Sequence, residues 1–191
     1  GDLLLCFTGT ESAEGGAAGM LNRIEEATLI SSALIATAAY WGSEETDQWW
    51  LREIVRLTAE TNGPGQNDVR RLPHAAALQL FYGAGIAATA SGRLDLVHRI
   101  LNLSPEDPSG SAHTLSHLLA PDVVFRHDAS PGRRLHNLLK PIFVQHLKLG
   151  TKKFEESWEV FEFLRLVEST SAKPHAARHV ELARESLVRL N

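Results

Sequence analysis

Apolar residues recur along most of this chain at intervals of three and four, which is the period of an amphipathic helix. Clusters of glycine, proline and serine interrupt the pattern and mark the connections between helices. Leu3 to Phe7 leaves a short strand and the end of a helix both open, and Val123 to Phe125 is too short to assign. The pattern predicts helices over about 20–40, 44–61, 73–90, 94–103, 112–119, 133–149, 152–170 and from residue 174 onward. We therefore predict an all-α protein, an irregular bundle of about seven to eight helices packed as helical hairpins.

The stretch from Leu78 to Leu103 predicts a hairpin of two helices around which the bundle is organised, with its turn at Ser91-Gly92-Arg93. Its first helix is rich in small residues, which would let a neighbouring helix approach closely. That neighbour belongs either to the same chain or to a second copy. The small residues are Gly83, Ala84, Gly85, Ala87, Ala88 and Ala90.

The first two helices have recognisable boundaries. The helix over 20–40 is apolar nearly all round after Glu26, which predicts a central position in the bundle. Gly42 is expected to end it. Ser43 is expected to cap the next helix through its side-chain oxygen, and acidic residues favour the positive end of that helix. These acidic residues are Glu44, Glu45 and Asp47.

The later helices carry two further expectations. Pro141 lacks a backbone donor, so we expect a kink or a break near 137–139. In the helix over 152–170, one ridge carries three aromatic residues and an arginine, and the carboxylates predict a solvated face. The ridge consists of Phe154, Trp158, Phe161 and Arg165. The carboxylates are Glu155, Glu156, Glu159 and Glu162.

Length and composition predict one helical domain over 1–191, with a possible boundary in the loop 62–72. The chain has one cysteine, Cys6, which excludes an internal disulfide and agrees with a reducing cytoplasm. No signal peptide and no apolar run long enough to span a membrane is visible. Because the chain opens without methionine in an apolar run, we expect a fragment of a longer protein.

Charge is unevenly distributed along the chain. Residues 1–62 carry ten acids and three bases, a net charge of −7, whereas segment 126–153 carries seven bases and one acid, a net charge of +6. The acidic residues 1–62 and the basic segment 126–153 either attract each other within one fold or provide a docking surface. The candidate residues for binding an acidic protein or an anionic ligand are Arg133, Arg134, His136 and Lys140. The alternative is that these residues are only solvated surface charge. The overall charge of −4 makes nucleic acid an unlikely partner.

Two adjacent tryptophans are further candidates for binding. Trp49 and Trp50 point about 100° apart on a helix, so both cannot enter one core stripe. We expect one of them at an interface with another domain or subunit.

Catalytic and metal-binding motifs are weak in this sequence. His113 and His117 lie four residues apart, as do His175 and His179, but neither pair encloses the glutamate of a zinc protease. Phosphate-binding loops and nucleophile elbows are missing from the sequence, and Cys6 has no nearby histidine in sequence. We therefore predict a non-catalytic protein with no cofactor, and a metal at His113 and His117 remains the least supported alternative.

The hairpin over about 78–109 has an ordered set of landmark residues. Phe81 lies four positions before Gly85, Gly92 lies at the turn, and Pro108 follows a short amphipathic helix. This arrangement resembles a tetratricopeptide repeat, in which Val97 and Leu101 would face back onto the first helix. Val97 replaces the alanine usual in that family, and the chain holds no second copy of the motif. The resemblance therefore implies one repeat-like hairpin within an irregular bundle.

A looser likeness covers the rear half of the chain. The run FYGAGIAATASGRLDL, the later LHNLLKP and the aromatic helix after it are similar to helical C-terminal regions of bacterial multidomain proteins with SIR2-like or other enzymatic domains upstream. This resemblance implies an accessory, sensing or oligomerising module of a cytoplasmic bacterial protein. We predict that this module binds a protein partner or a neighbouring domain and that a homo-oligomer is possible. We do not expect it to bind a membrane.

Overall fold

The computed structural model describes residues 17–59, 72–105, 114–125 and 128–171, and every regular element in those ranges is helical. The all-α prediction is confirmed. The helices are α1 (Ala17–Trp41), α2 (Glu44–Ala59), α3 (Leu72–Ala90), α4 (Leu94–Leu101), α5 (Leu115–Leu118), α6 (Pro121–Val124), α7 (Pro131–Pro141), a π-helical turn (Ile142–His146) and α8 (Thr151–Ser171). Within these ranges no helix is long and apolar enough to cross a membrane.

Helix α3 is the centre of the bundle, and α1, α2, α4 and α8 all pack against it. Every residue from Ala77 to Ala88 is buried. The expectation that α1 is central is wrong, because α1 packs on α3 with one face and leaves its opposite face exposed.

The small residues of α3 permit close helix contacts, as predicted, and the neighbours belong to the same chain. A Cβ atom at Gly85 would overlap the ring of Phe161 on α8. At Gly83 a Cβ atom would lie at ordinary contact distance, 3.8 Å from the carbonyl oxygen of Ser32 and 4.0 Å from Leu139 Cδ2. Gly85 therefore allows α8 to lie against α3.

The predicted turn between α3 and α4 is confirmed at Ser91–Arg93. Gly92 adopts a φ of 73°, a left-handed conformation that glycine adopts without steric cost. Val97 and Leu101 on α4 are buried, as expected for residues that face the core.

The junction between α1 and α2 differs from the prediction in detail. Helix α1 ends before Gly42 as expected, but a side chain at Gly42 would overlap the carbonyl oxygen of Ala38, so close approach requires the glycine there. The start of α2 is bridged by Thr46, whose Oγ1 accepts from the Ser43 N–H at 3.1 Å and donates to the Ser43 carbonyl. Glu44, Glu45 and Asp47 lie in the first turn of α2 as predicted, and Asp47 is fully buried there.

The effect of Pro141 also differs from the expectation. Helix α7 continues through 137–139 to Pro141, and the irregularity follows as the π-helical turn, in which Leu147 N–H donates to Ile142 C=O at 3.1 Å. Asn137 is exposed, so water can satisfy the carbonyl that lost its donor. The predicted break before the proline is therefore wrong.

The predicted helix over 152–170 is present as α8, and its aromatic ridge faces the core. Phe154, Phe161 and Arg165 are buried, and Trp158 is partly buried. The Phe161 ring lies 5.6 Å from the Phe81 ring and 5.4 Å from the Tyr82 ring, between centroids. These contacts attach α8 to α3.

Some predicted features fall outside the described residues. They are the run Leu3–Phe7, Cys6, most of the loop 62–72, Pro108, His113, His175, His179 and the helix from Pro174.

Candidate interaction surface

Arg134 was predicted as a binding residue and forms an ion pair within the protein. Its guanidinium donates to both carboxylate oxygens of Glu25 on α1, at 2.7 and 2.8 Å, and to Asn22 at 2.6 Å. Asp128 lies 3.4 Å away, and the ring of Phe125 lies under the guanidinium, 5.5 Å from its carbon. The hydrogen bonds to Glu25 raise the pKa of Arg134, against the opposing effect of burial. This contact joins the basic segment to the acidic first part of the chain.

His136 and Lys140 share one carboxylate on α8. His136 Nε2 and Lys140 Nζ each lie 2.7 Å from an oxygen of Glu155. The His136 ring also packs against Phe154 and Trp158, with centroids 5.1 Å apart in each case. The hydrogen bond from Lys140, and then that from His136, lowers the pKa of Glu155. Glu155 was expected on a solvated face and instead fastens α7 to α8.

Arg133, by contrast, is exposed. The structure thus brings Arg134, His136 and Lys140 into contacts within the chain and leaves Arg133 in solvent. Binding of an anionic partner by these residues stays a prediction.

The two tryptophans of α2 separate as their spacing predicts. Trp50 is 7% exposed and belongs to the core, whereas Trp49 is 78% exposed. Whether Trp49 contacts another domain or subunit stays a prediction.

A cluster of three charged residues around the buried Asp47 was not predicted from the sequence. Asp47 Oδ2 accepts hydrogen bonds from Arg93 and Arg99, both at 2.7 Å. Arg93 also donates to the carbonyl of Ala39 at 2.9 Å, near the end of α1. Asp47 lies on α2, Arg93 in the turn before α4 and Arg99 on α4, so only the folded chain brings them together. Arg93 and Arg99 line a cleft of about 440 Å³, but both arginines are already paired with Asp47.

A second missed cluster joins α3, α5 and α8. Arg165 is 4% exposed and donates to both oxygens of Glu162, at 2.9 and 2.7 Å, and to the carbonyl of Ser116 at 3.0 Å. The Tyr82 hydroxyl donates to the same Glu162 carboxylate. Burial, followed by the negative charge of Glu162, raises the pKa of Tyr82. A tyrosine held neutral and donating to a paired carboxylate stabilises the fold and offers no free base.

The histidine pair gives no support for a metal centre in the part of the chain that is described. His117 is exposed, and within those residues no group of three or more His, Cys, Asp or Glu side chains could hold a metal ion. His113 lies outside the described residues.

Exposed apolar side chains occur on α8, at Val160, Phe163, Leu166 and Val167, and along one side of α1. Five exposed residues recur there at intervals of three, four, three and four, and we call them the α1 row. The row consists of Ala27, Ile30, Leu34, Thr37 and Trp41. Ile30 is 74% exposed, Leu34 66% and Trp41 74%. This spacing is that of a coiled-coil seam, and it was overlooked because nearly all of α1 is apolar.

Comparison of the chain with protein-family models, with curated proteins and with solved structures finds no match. The tetratricopeptide-like interpretation of α3 and α4 therefore stays a prediction that rests on the residues alone.

Proposed function

We propose that this chain is a non-catalytic helical module that binds a protein partner or a neighbouring domain through the α1 row. The observation that supports the proposal is the exposure of Ile30, Leu34 and Trp41 at the spacing of a helix-packing seam. The module would belong to a larger cytoplasmic bacterial protein whose enzymatic domain lies elsewhere, as the looser sequence likeness implies.

The chemistry of the α1 row suits an apolar helix as the partner element. Ser31, Ala33 and Ala38 beside the row are small and uncharged, so a second helix can approach the middle of the row closely, whereas the exposed Glu26 and Arg23 flank its first end. Burial of a large apolar side chain contributes roughly 1.5–3 kcal/mol, so three such residues contribute about 4.5–9 kcal/mol towards association, against the loss of translational and rotational freedom. Large apolar side chains exposed together are typical of interaction sites.

The charged clusters favour binding by apolar contact over catalysis or anion binding. Asp47, Arg134, Glu155 and Arg165 all have oppositely charged partners within the chain. An anionic ligand at Arg134 would have to displace Glu25, which costs the existing ion pair. The basic segment therefore has less support than the α1 row as the binding surface.

Affinity capture from a lysate of the source organism tests the proposal. Wild type is compared with Ile30→Glu/Leu34→Glu and with a control of equal charge change, Gln48→Glu/Asn137→Glu, at exposed polar positions. We expect a protein that wild type and the control retain and the row variant loses, with circular dichroism showing all three folded.

Equal retention by the row variant and wild type would refute the proposal. A third variant, Arg133→Glu/Lys140→Glu, tests the alternative. If it alone loses the captured protein, the basic segment is the binding surface and the proposal is wrong.

A further inference from the structure

The fold uses the bases of segment 126–153 unevenly. Apart from the exposed Arg133, the bases on α7 contact carboxylates of the same chain, Glu25 and Glu155. Three lysines that follow α7 lie just before α8 or in its first turn, and all three are exposed. We call them the lysine patch, which consists of Lys148, Lys152 and Lys153. The positive charge that the fold leaves available is therefore concentrated at the end of the segment.

Little negative charge compensates the lysine patch. The chain has no acidic residue over 129–154. The one carboxylate found near the patch is that of Glu156, which is exposed and lies 3.8 Å from Lys152 Nζ. Neither Lys148 nor Lys153 forms an ion pair with any residue that the structure describes. At least two of the three ammonium groups are therefore open to a partner.

Each lysine of the patch occupies a position that favours a different residue. Lys148 has a φ of 56°, and it is the one non-glycine residue with a positive φ in the described part of the chain. Glycine or asparagine adopts this left-handed conformation at lower cost. Lys152 and Lys153 lie in the first turn of α8, at the positive end of the helix dipole, where acidic residues stabilise a helix and basic residues destabilise it. The stability of the fold therefore does not explain these three positive charges.

The surroundings of the lysine patch favour an acidic polypeptide over a nucleic acid. Single-stranded nucleic acid is bound by basic residues together with exposed aromatic rings on which the bases stack. The aromatic residues nearest to the patch in sequence, Phe143 and Phe154, are fully buried and offer no such ring. The net charge of −4 also repels a polynucleotide at long range. Carboxylates of an acidic protein segment need only the exposed ammonium groups.

We propose that the lysine patch binds an acidic segment of a partner protein through the exposed ammonium groups of Lys148, Lys152 and Lys153. This surface goes beyond the function proposed above and shares no residue with the α1 row. Because the three side chains are exposed, the attraction is electrostatic and weakens as the salt concentration rises.

Fluorescence anisotropy with a labelled oligoglutamate peptide tests the proposal. Wild type is compared with a patch variant, Lys148→Asn/Lys152→Gln/Lys153→Gln. The control, Arg23→Gln/Arg52→Gln/Arg56→Gln, removes the same charge at exposed positions of α1 and α2. We expect the patch variant to bind the peptide roughly tenfold more weakly than wild type and the control, since it lacks three exposed ion pairs. Added salt should weaken the binding by wild type.

Thermal melting of the same variants separates binding from a structural role. The patch variant should melt at the temperature of wild type or above it, because asparagine suits the conformation at position 148 and glutamine carries no charge against the helix dipole. A lower melting temperature would show that the lysines serve the fold, and the proposal would be wrong.

Three binding results would also overturn the proposal. They are no binding of the peptide by wild type, equal binding by the patch variant, and an equal loss in the control. Tighter binding of a single-stranded oligonucleotide than of the peptide would show that the partner is a nucleic acid and contradict the proposed class. Since no residue of the α1 row is changed, each of these results leaves the proposed function to its own test.

Discussion

The contact between Gly85 and Phe161 predicts opposite effects for two chemically identical substitutions on α3. Gly85→Ala and Gly83→Ala both replace a helical glycine by alanine, and this replacement by itself stabilises a helix by roughly 0.5–1 kcal/mol. At Gly83 the new methyl group meets only ordinary contacts, so this variant should be more stable than wild type. At Gly85 the methyl group would overlap the Phe161 ring, which is fully buried against Phe81 and Tyr82.

The difference between the two variants isolates the cost of overpacking. Inserting one carbon into a filled core costs about 1–3 kcal/mol, and the gain in helix propensity is common to both variants. For a protein of this length, 1 kcal/mol corresponds to about 2–4 °C in Tm, so Gly85→Ala should melt roughly 2–12 °C below Gly83→Ala. Urea denaturation followed by circular dichroism measures the same difference at constant temperature.

A double variant makes the test specific to this pair of residues. Phe161→Leu alone leaves a cavity and destabilises the protein, but with Gly85→Ala it removes the overlap. The two changes should therefore be less destabilising together than their sum, with a coupling of about 0.5–3 kcal/mol. Equal stability of Gly85→Ala and Gly83→Ala, or strictly additive effects with Phe161→Leu, would refute the packing argument.

Three polar contacts give further predictions. Asp47→Ala leaves two arginines facing each other without their carboxylate and should cost about 3–5 kcal/mol in urea unfolding, whereas the exposed Glu45→Ala from the same turn should stay within about 0.5 kcal/mol of wild type. The pKa of Tyr82 is raised, so the folded protein keeps a proton that the unfolded chain releases above the ordinary pKa of 10.0. The free energy of unfolding should therefore fall as the pH rises beyond that value, and Tyr82→Phe should lessen the fall. An alkaline slope that Tyr82→Phe leaves unchanged would contradict the buried hydroxyl. The pKa of Glu155 is lowered, so the contribution of Glu155 to stability is present above the ordinary pKa of 4.5 and is lost as the pH falls through the folded-state pKa. Glu155→Gln should therefore flatten the acid limb of a plot of unfolding free energy against pH. An identical acid limb in the variant would show that the contact to Lys140 is weak in solution.

The local features of this fold could be predicted from the sequence, because helix period and turn residues act over a few positions. The turn at Gly92, the ridge of α8 and the separation of Trp49 from Trp50 are examples. Features that depend on which helices meet were not predictable in the same way. The small residues of α3 indicated a close neighbour, but only the fold identifies Phe161 as that neighbour.

The polar clusters show the same limit. Asp47 looks like an acidic residue at a helix start, and its burial follows from Arg93 and Arg99, which lie 46 and 52 positions later in the chain. Glu155 was read as solvated because helix period alone does not reveal that α7 lies beside it. The α1 row was detectable in principle, since its spacing of three and four is local. A helix that is apolar on nearly every side conceals which of its faces is exposed.

Site-specific photo-cross-linking in cells of the source organism tests the central claim most directly. A photoreactive residue replaces Leu34 in the α1 row and, in a control, Asn137, an exposed polar residue of α7. We predict a discrete cross-linked protein from position 34, either a second copy or another chain, and none from position 137. No cross-link from position 34, or the same products from both positions, would contradict the claim that the α1 row is the interaction surface.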